Sequence, residues 1–338
     1  MSDRQSLVSI VTPAFNEAEN IPILYERLVA VLDDADVAWE WIVVDDHSTD
    51  ETQEVLGALA CKDERVRSPR FSRNFGSHIG ILCGLRHSKG DCAIVMAADL
   101  QDPPDVIPRL LERWESGIKT VWAVREKREG ESLLTLAFAR LYYLLVRAFT
   151  ELDSTPKSGA DLWLVDRVVI DTVNADPERH SSVPSLVRWM GFSQDSIYYT
   201  KAPRKFGRSK WTLSRKINHA INTFVATTAV PIRYMTYVGF ITTILGFLYS
   251  FFIIVHSILG SPVQGWSSLM VVFLLVSGIQ MTMLGVLGEY LWRTYEESRQ
   301  RPRYIVESFL NLSPEEEDGS PLGNRFRDGV ESKERQYR

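Results

Sequence analysis

The chain has 338 residues and a formal net charge of −5. That length exceeds what one compact domain holds, and the mild acidity excludes a nucleic-acid binder that relies on overall positive charge. Three cysteines fall short of a disulfide framework and point to a reducing compartment.

The first residues run straight into a strand pattern, so the sequence shows no signal peptide. Leu7 to Pro13 is a buried strand, and Ala14 to Asn20 is the turn after it. Ile21 to Leu32 has helical spacing, with Ile21, Leu24, Leu28 and Leu32 on one face. Trp39 to Asp46 is a second strand ending in two carboxylates, and a helix start is expected at Ser48 or Thr49. Val66 to Phe71 is a third strand, Gly76 to His87 a small-residue helix, and Cys92 to Met96 a fourth, apolar strand. Short apolar runs alternating with helices predict an α/β fold with a mostly parallel sheet.

Lys119 to Val124 is a further strand, Leu133 to Phe149 an apolar helix, and Ser158 to Val165 a turn and strand. Pro184 to Met190 is a short helix, and Ile197 to Thr200 a strand that leads into a basic loop, Lys201 to Trp211. Leu213 to Thr228 is amphipathic, with Arg215, Lys216 and His219 beside Leu213, Ile217, Ile221 and Phe224. It reads as an interfacial helix.

Charge is distributed unevenly. Tyr234 to Gly288 contains no Asp, Glu, Lys or Arg. That run is long enough for two membrane helices of ~20 residues each, joined at Gly260 to Trp266. Basic residues crowd both outer flanks, so both termini are expected in the cytoplasm of a multi-pass protein. The expected divisions are a catalytic domain over 1–210, a juxtamembrane amphipathic helix over 211–232, a two-helix transmembrane hairpin over 233–293 and a cytoplasmic tail over 294–338. Asn311 to Arg338 reads as mobile.

The chemistry concentrates at Ala97-Ala-Asp-Leu-Gln-Asp-Pro-Pro104. On an extended backbone Asp99 and Gln101 would leave on the same face, at the carboxyl end of a strand, where open α/β sheets bind ligands. Hard divalent cations want such oxygen donors and share them with substrate phosphates. Asp45 and Asp46 can accept hydrogen bonds from a base or a ribose, with Asn16 and Glu17 next door if the first two strands pair. Arg204-Lys-Phe-Gly-Arg-Ser-Lys210 suits a phosphate near the membrane entry, by its arginine forks and by the close approach that Gly207 permits, or a patch on anionic lipid headgroups.

Pro13-Ala-Phe-Asn-Glu17, Val44-Asp-Asp-His-Ser-Thr-Asp50, Arg73-Asn-Phe-Gly76, Asp99-Leu-Gln-Asp-Pro-Pro104 and Arg204-x-x-Gly-x-Ser-Lys210 together resemble the polyprenyl-phosphate glycosyltransferases of glycosyltransferase family 2. That group includes dolichyl-phosphate mannose synthases and bactoprenol glucosyltransferases, and the membrane hairpin is similar to the second branch. The resemblance implies a GT-A fold, Mg²⁺ or Mn²⁺, a nucleotide-sugar donor, a polyprenyl-phosphate acceptor and the plasma (inner) membrane. The expected assembly is a homo-oligomer, a tetramer being one form. Carried over by position, Pro13, Asn16, Glu17, Asp45, Asp46 and Arg73 would line the nucleotide, and Asp99 and Gln101 would bind the metal. Asp161 would be catalytic together with Asp99. Arg125, Arg128, Arg204, Arg208 and Lys210 would contact phosphates.

Two departures stand out. Ala97 replaces the family's usual first Asp of the metal segment, and Asp161-Leu-Trp-Leu164 replaces its Asp-Phe-Arg-Leu. UDP-glucose is the expected donor. GDP-mannose, UDP-N-acetylglucosamine and UDP-aminoarabinose derivatives stay open, as do a processive polysaccharide synthase and a catalytically degenerate binding protein.

Overall fold

In a computed structural model of the chain, the described residues are 6–35, 37–125, 162–175, 183–200, 230–259, 265–299 and 301–312. The expected helices over 133–149 and 213–228 and the tail after residue 312 lie outside them.

The first half alternates as its sequence pattern dictates. Strand β1 (Leu7–Ala14) is followed by α1 (Asn20–Asp34), β2 (Ala38–Asp45), α2 (Thr52–Lys62), β3 (Val66–Phe71), α3 (Ser77–Arg86) and β4 (Cys92–Val95). A 3₁₀ turn, Pro104–Val106, leads into α4 (Ile107–Glu115). Then come β5 (Thr120–Arg125), β6 (Leu162–Asp166), α5 (Arg167–Ala175), α6 (Val183–Trp189) and β7 (Gln194–Tyr199). Two long helices, α7 (Val230–Ile258) and α8 (Trp266–Ser298), precede a last strand, β8 (Val306–Leu310).

All eight strands form one sheet in the order β7-β5-β6-β4-β1-β2-β3-β8. Only β6 and β8 run against the other six, because β4–β6, β5–β6 and β3–β8 are antiparallel while β1–β2, β1–β4, β2–β3 and β5–β7 are parallel. The central strands are buried on both faces, so period-two alternation sends successive side chains into different cores. Ile10, Trp41, Val43 and Ile94 meet α1, α2 and α4 on one face. Val11, Val95, Trp122 and Trp163 meet α3, α5 and α6 on the other. Ile21, Leu24, Leu28 and Leu32 are the buried stripe of α1, as their spacing predicts.

Four features depart from the sequence reading. Helix α2 begins at Thr52, not at Ser48 or Thr49, because the intervening residues form a turn closed by carboxylates: Asp45 Oδ1 accepts the Ser48 N–H, and Asp50 Oδ1 accepts the Thr52 N–H. Residues 98–100 are not extended. They form a turn in which Leu100 has φ +59° and Asp99 Oδ1 accepts the Gln101 N–H at 3.2 Å, so the alternation argument for Asp99 and Gln101 does not hold. Helix α4, helix α5 and strand β8 form where the sequence reading places no element. Lastly, among the described residues one stretch, Tyr234–His256 in α7, satisfies the length and hydropathy of a membrane span, where two spans are expected.

Helices α7 and α8 touch each other, and a side chain on Gly239 would press on Met283 Cε at 3.0 Å. Phe240, Phe247 and Phe251 on α7 are exposed. All three cysteines are free thiols.

Candidate active site

Six strands point the same way, so their carboxyl ends share one edge of the sheet. Chain order reverses there: β1, β2 and β3 step outward in one direction, and β4 returns to the other side of β1. The loops after β1 and β4 flank this switch point, the position at which open α/β sheets bind ligands.

The loop after β1 is stitched to the loop after β2. Ala14 and Asp45 are register partners, which brings the two loops side by side. Asn16 donates its N–H to Ser48 Oγ at 2.9 Å, and its Oδ1 accepts the Thr49 N–H at 2.8 Å. Glu17 donates its N–H to Thr52 Oγ1 at 2.9 Å, and its carboxylate accepts from Asn20 Nδ2. Asn16 and His47 both have left-handed backbones, φ +54° and +61°, which non-glycine residues adopt where surrounding bonds hold them. Pro13 lies against α3 so closely that a Cβ on Gly80 would sit 3.0 Å from its Cβ, which explains a glycine there.

The two carboxylates ending β2 have structural partners. Asp45 is fully buried: Oδ1 accepts the Ser48 N–H at 2.9 Å, and Oδ2 accepts from Arg70 Nη1 at 2.8 Å. Asp46 accepts two backbone N–H groups from the loop after β3, Phe75 at 2.6 Å and Gly76 at 2.9 Å. Burial pushes the Asp46 carboxyl above its ordinary range, against the pull of those two donors. Gly76, at φ +96°, can turn the chain there into α3. The same loop carries Arg73, exposed, with its guanidinium 4.4 Å above the Phe75 ring.

Asp99 and Gln101 sit partly exposed on the turn after β4. They offer a carboxylate and an amide oxygen, donors that suit a hard divalent cation. Among the described residues no three His, Cys, Asp or Glu side chains are grouped closely enough to hold a metal by themselves.

Asp102, buried on the same turn, accepts from the Tyr199 hydroxyl at the end of β7. Arg125 is the register partner of Tyr199 across the β5–β7 pair. Burial first, and the Asp102 carboxylate second, push the Tyr199 phenol well above its ordinary value. This cluster ties the Asp99 turn to the strand end that precedes the basic loop. Arg128, Asp161, Arg204, Arg208 and Lys210 lie outside the described residues. Val95 pairs with Trp163, so the amino end of antiparallel β6 lies at the same edge as the Asp99 turn.

The sequence reading gives no site role to Ser48 and Asp102, although both lie inside its motifs, and passes over Arg70 and Tyr199. For Arg70 the local sign is its place two positions after Ser68 in β3.

Comparison with known proteins gives the family. Residues 9–171 match the family described as glycosyl transferase family 2. The glycosyltransferase YkcC of Bacillus subtilis is 37% identical over 305 residues, covering 90% of this chain and 94% of that protein. The bactoprenol glucosyl transferase of Shigella phage SfX is 35% identical, covering 89% of this chain and 99% of that protein. The glucosyl-3-phosphoglycerate synthase of Mycobacterium tuberculosis, solved with Mn²⁺ and UDP-glucose, is similar at a TM-score of 0.47 and 19% identity, over 66% of this chain and 79% of that one.

Proposed function

The chain belongs to glycosyltransferase family 2 and has the family's GT-A, Rossmann-like fold; from that premise we propose that it moves a hexose, glucose from UDP-glucose foremost, onto a polyprenyl phosphate at a membrane surface. The observation that carries this reading is a nucleotide-type sheet edge in the same chain as a long apolar helix. Relatives called bactoprenol glucosyl transferase share about a third of their residues over nearly their full length, and supply the acceptor class and the sugar.

In this reading the stitched loops carrying Pro13, Asn16, Glu17 and Arg73 receive the nucleoside. Asp45 and Asp46 serve it through the turns they pin. Asp99 and Gln101 would hold a divalent cation, Mg²⁺ or Mn²⁺, beside the donor diphosphate. When bound, the cation supplies charge neutralisation on the leaving diphosphate. Arg125 and Arg128 face the donor phosphates, and Arg204, Arg208 and Lys210 hold the acceptor phosphate. That phosphate has a second pKa of about 6 and is largely dianionic at neutral pH, so it needs little base assistance. Asp161 therefore orients the acceptor, or steadies positive charge at the anomeric carbon, more than it removes a proton. In-line attack at C1 inverts that centre and gives a β-linked product from UDP-glucose.

We also propose that α8 is a second span and that the protein is multi-pass, with both termini cytoplasmic. Trp266 to Gly288 within α8 carry no Asp, Glu, Lys or Arg and extend about 35 Å at 1.5 Å per residue, against a hydrocarbon core of about 30 Å. A homo-oligomer in the bilayer is part of the same reading.

The test is transfer by the full chain in nanodiscs containing undecaprenyl phosphate, with Mn²⁺ or Mg²⁺ and a panel of nucleotide sugars, read by mass spectrometry of the lipid. A glucosylated lipid from UDP-glucose is expected. Nucleotide binding with no lipid product from any donor would overturn the reading in favour of a degenerate binder.

A further inference from the structure

We propose that Arg70 is a positioning residue for the donor nucleotide, and that Glu307 on β8 makes the strand after the membrane helices part of the nucleotide site. This rests on the nucleotide reading of the sheet edge given above.

Arg70, three-quarters or more buried, projects from β3 beneath the turn after β2 and contacts it twice. Nη1 donates to Asp45 Oδ2 at 2.8 Å, and Nη2 donates to the Ser48 carbonyl at 3.2 Å. Ser48 is the hub of the stitched loops. Its N–H goes to Asp45 Oδ1, its carbonyl accepts from Arg70, and its hydroxyl accepts the Asn16 N–H. One guanidinium thus neutralises a fully buried carboxylate and fixes the residue that joins both loops. His47 and Asn16, beside Ser48 and bonded to it respectively, hold left-handed backbones that need such support.

The third nitrogen of Arg70 faces the other way. Nε lies 3.4 Å from Glu307 Oε2, and the same oxygen lies 3.7 Å from His47 Nδ1. His47 Nδ1 also donates to the Phe71 carbonyl at 3.0 Å. Glu307 therefore stands behind both Arg70 and His47.

Strand β8 does not depend on Glu307 for its place. Arg70 and Ser308 are register partners, and Ser72 donates its N–H to the Ile305 carbonyl at 3.0 Å. Tyr304 stacks on Phe71, and Asn311 Nδ2 bonds the Ala60 and Val66 carbonyls at 2.7 and 3.0 Å. Neutralising Glu307 can thus loosen the turn without unseating the strand.

The test compares wild type, Arg70→Lys, Glu307→Gln and a control, Arg65→Lys, as full chains in nanodiscs. Arg65 pairs with Asp63 at the opposite edge of the sheet. Two readouts are taken: amide exchange across 15–18 and 45–49 without ligand, and binding of UDP with Mn²⁺. Arg70→Lys keeps a cation for Asp45 and loses the fork. Its exchange in both loops is expected to quicken about tenfold and its UDP affinity to fall about tenfold, the loss of one charge-assisted contact. Glu307→Gln is expected to weaken UDP about two- to threefold, as for a half-exposed ion pair, and the control to change neither readout. Unchanged exchange and UDP affinity in Arg70→Lys would overturn the proposal. So would an equal UDP loss in Arg65→Lys, which would mark a general structural effect. If wild-type protein binds neither UDP nor GDP, the nucleotide reading fails and this inference falls with it, even where the exchange result holds.

Discussion

Removing Arg67 should destabilise the catalytic sheet severely, and removing its partner as well should restore most of the loss. Arg67 on β3 and Glu40 on β2 are both buried and form a direct ion pair at the end of the sheet remote from the candidate site. Glu40 Oε1 also accepts from Ser9 Oγ at 2.6 Å and from the Lys89 N–H at 2.6 Å, and Arg67 Nη1 also donates to the His87 carbonyl at 3.1 Å. Arg67→Met removes the cation and leaves Glu40 with two neutral donors in a dry core. Breaking one side of such a pair costs about 3–5 kcal/mol. Glu40→Gln in the same chain removes the stranded charge. The amide oxygen can keep Ser9 and Lys89, while the amide N–H group can serve the His87 carbonyl that Arg67 abandons. The double variant should therefore recover about 2 kcal/mol or more of the single-variant loss. Urea unfolding of the three variants and wild type, followed by tryptophan fluorescence at matched detergent, gives the cycle. Additive losses, with the double variant worse than Arg67→Met, would refute the claim that uncompensated burial of charge dominates here.

Three further outcomes follow from the geometry. Asp166 accepts from Trp114 Nε1, Lys119 Nζ and the Val168 N–H, and these bonds hold its carboxyl below the usual range although burial alone would raise it. A depressed folded pKa stabilises the fold above the unfolded carboxyl value of about 3.9 and withdraws that support as pH falls through the lower folded value, so Asp166→Asn should flatten the acid limb of a pH–stability curve. Gly84→Ala should cost about 1–3 kcal/mol in a thermal melt, because the new methyl would collide with Val11 Cγ1 inside the sheet. Asp99→Asn should raise the Mn²⁺ concentration needed for half-maximal transfer by about tenfold or more while leaving the melting temperature within a degree or two; an unchanged metal requirement would remove Asp99 from the metal site.

The fold of the first hundred residues is legible because period and pattern coincide. The stripe of α1 and the doubly buried strands β1, β2 and β4 need no distant partner to be recognised. Helix α4 escapes notice because Pro103, Pro104 and Pro108 look like breakers, yet proline is accommodated in a helix's first turn. Strand β8 is five residues of weak alternation whose pairing partner lies more than two hundred positions earlier, and no local pattern encodes that. The site divides the same way. Motifs single out Asn16, Asp45, Asp46 and Asp99, which the fold places along the edge where the parallel strands end, but Asp45 finds its cation across the β2–β3 pair, and only the fold supplies that contact. The Asp99 turn departs from alternation because β4 ends at Val95 and the Asp99 carboxylate bonds the backbone two residues on.

The position of β8 bears on how the polypeptide is made. Ribosomes deliver β3 more than two hundred residues before the strand that flanks it opposite β2, and both long helices emerge in between. Throughout that interval the nascent chain carries a bare strand edge, a template for mispairing. Translation completes both long helices before the sheet can close, so in the membrane reading proposed above delivery to the bilayer and completion of the enzyme become a single ordered event.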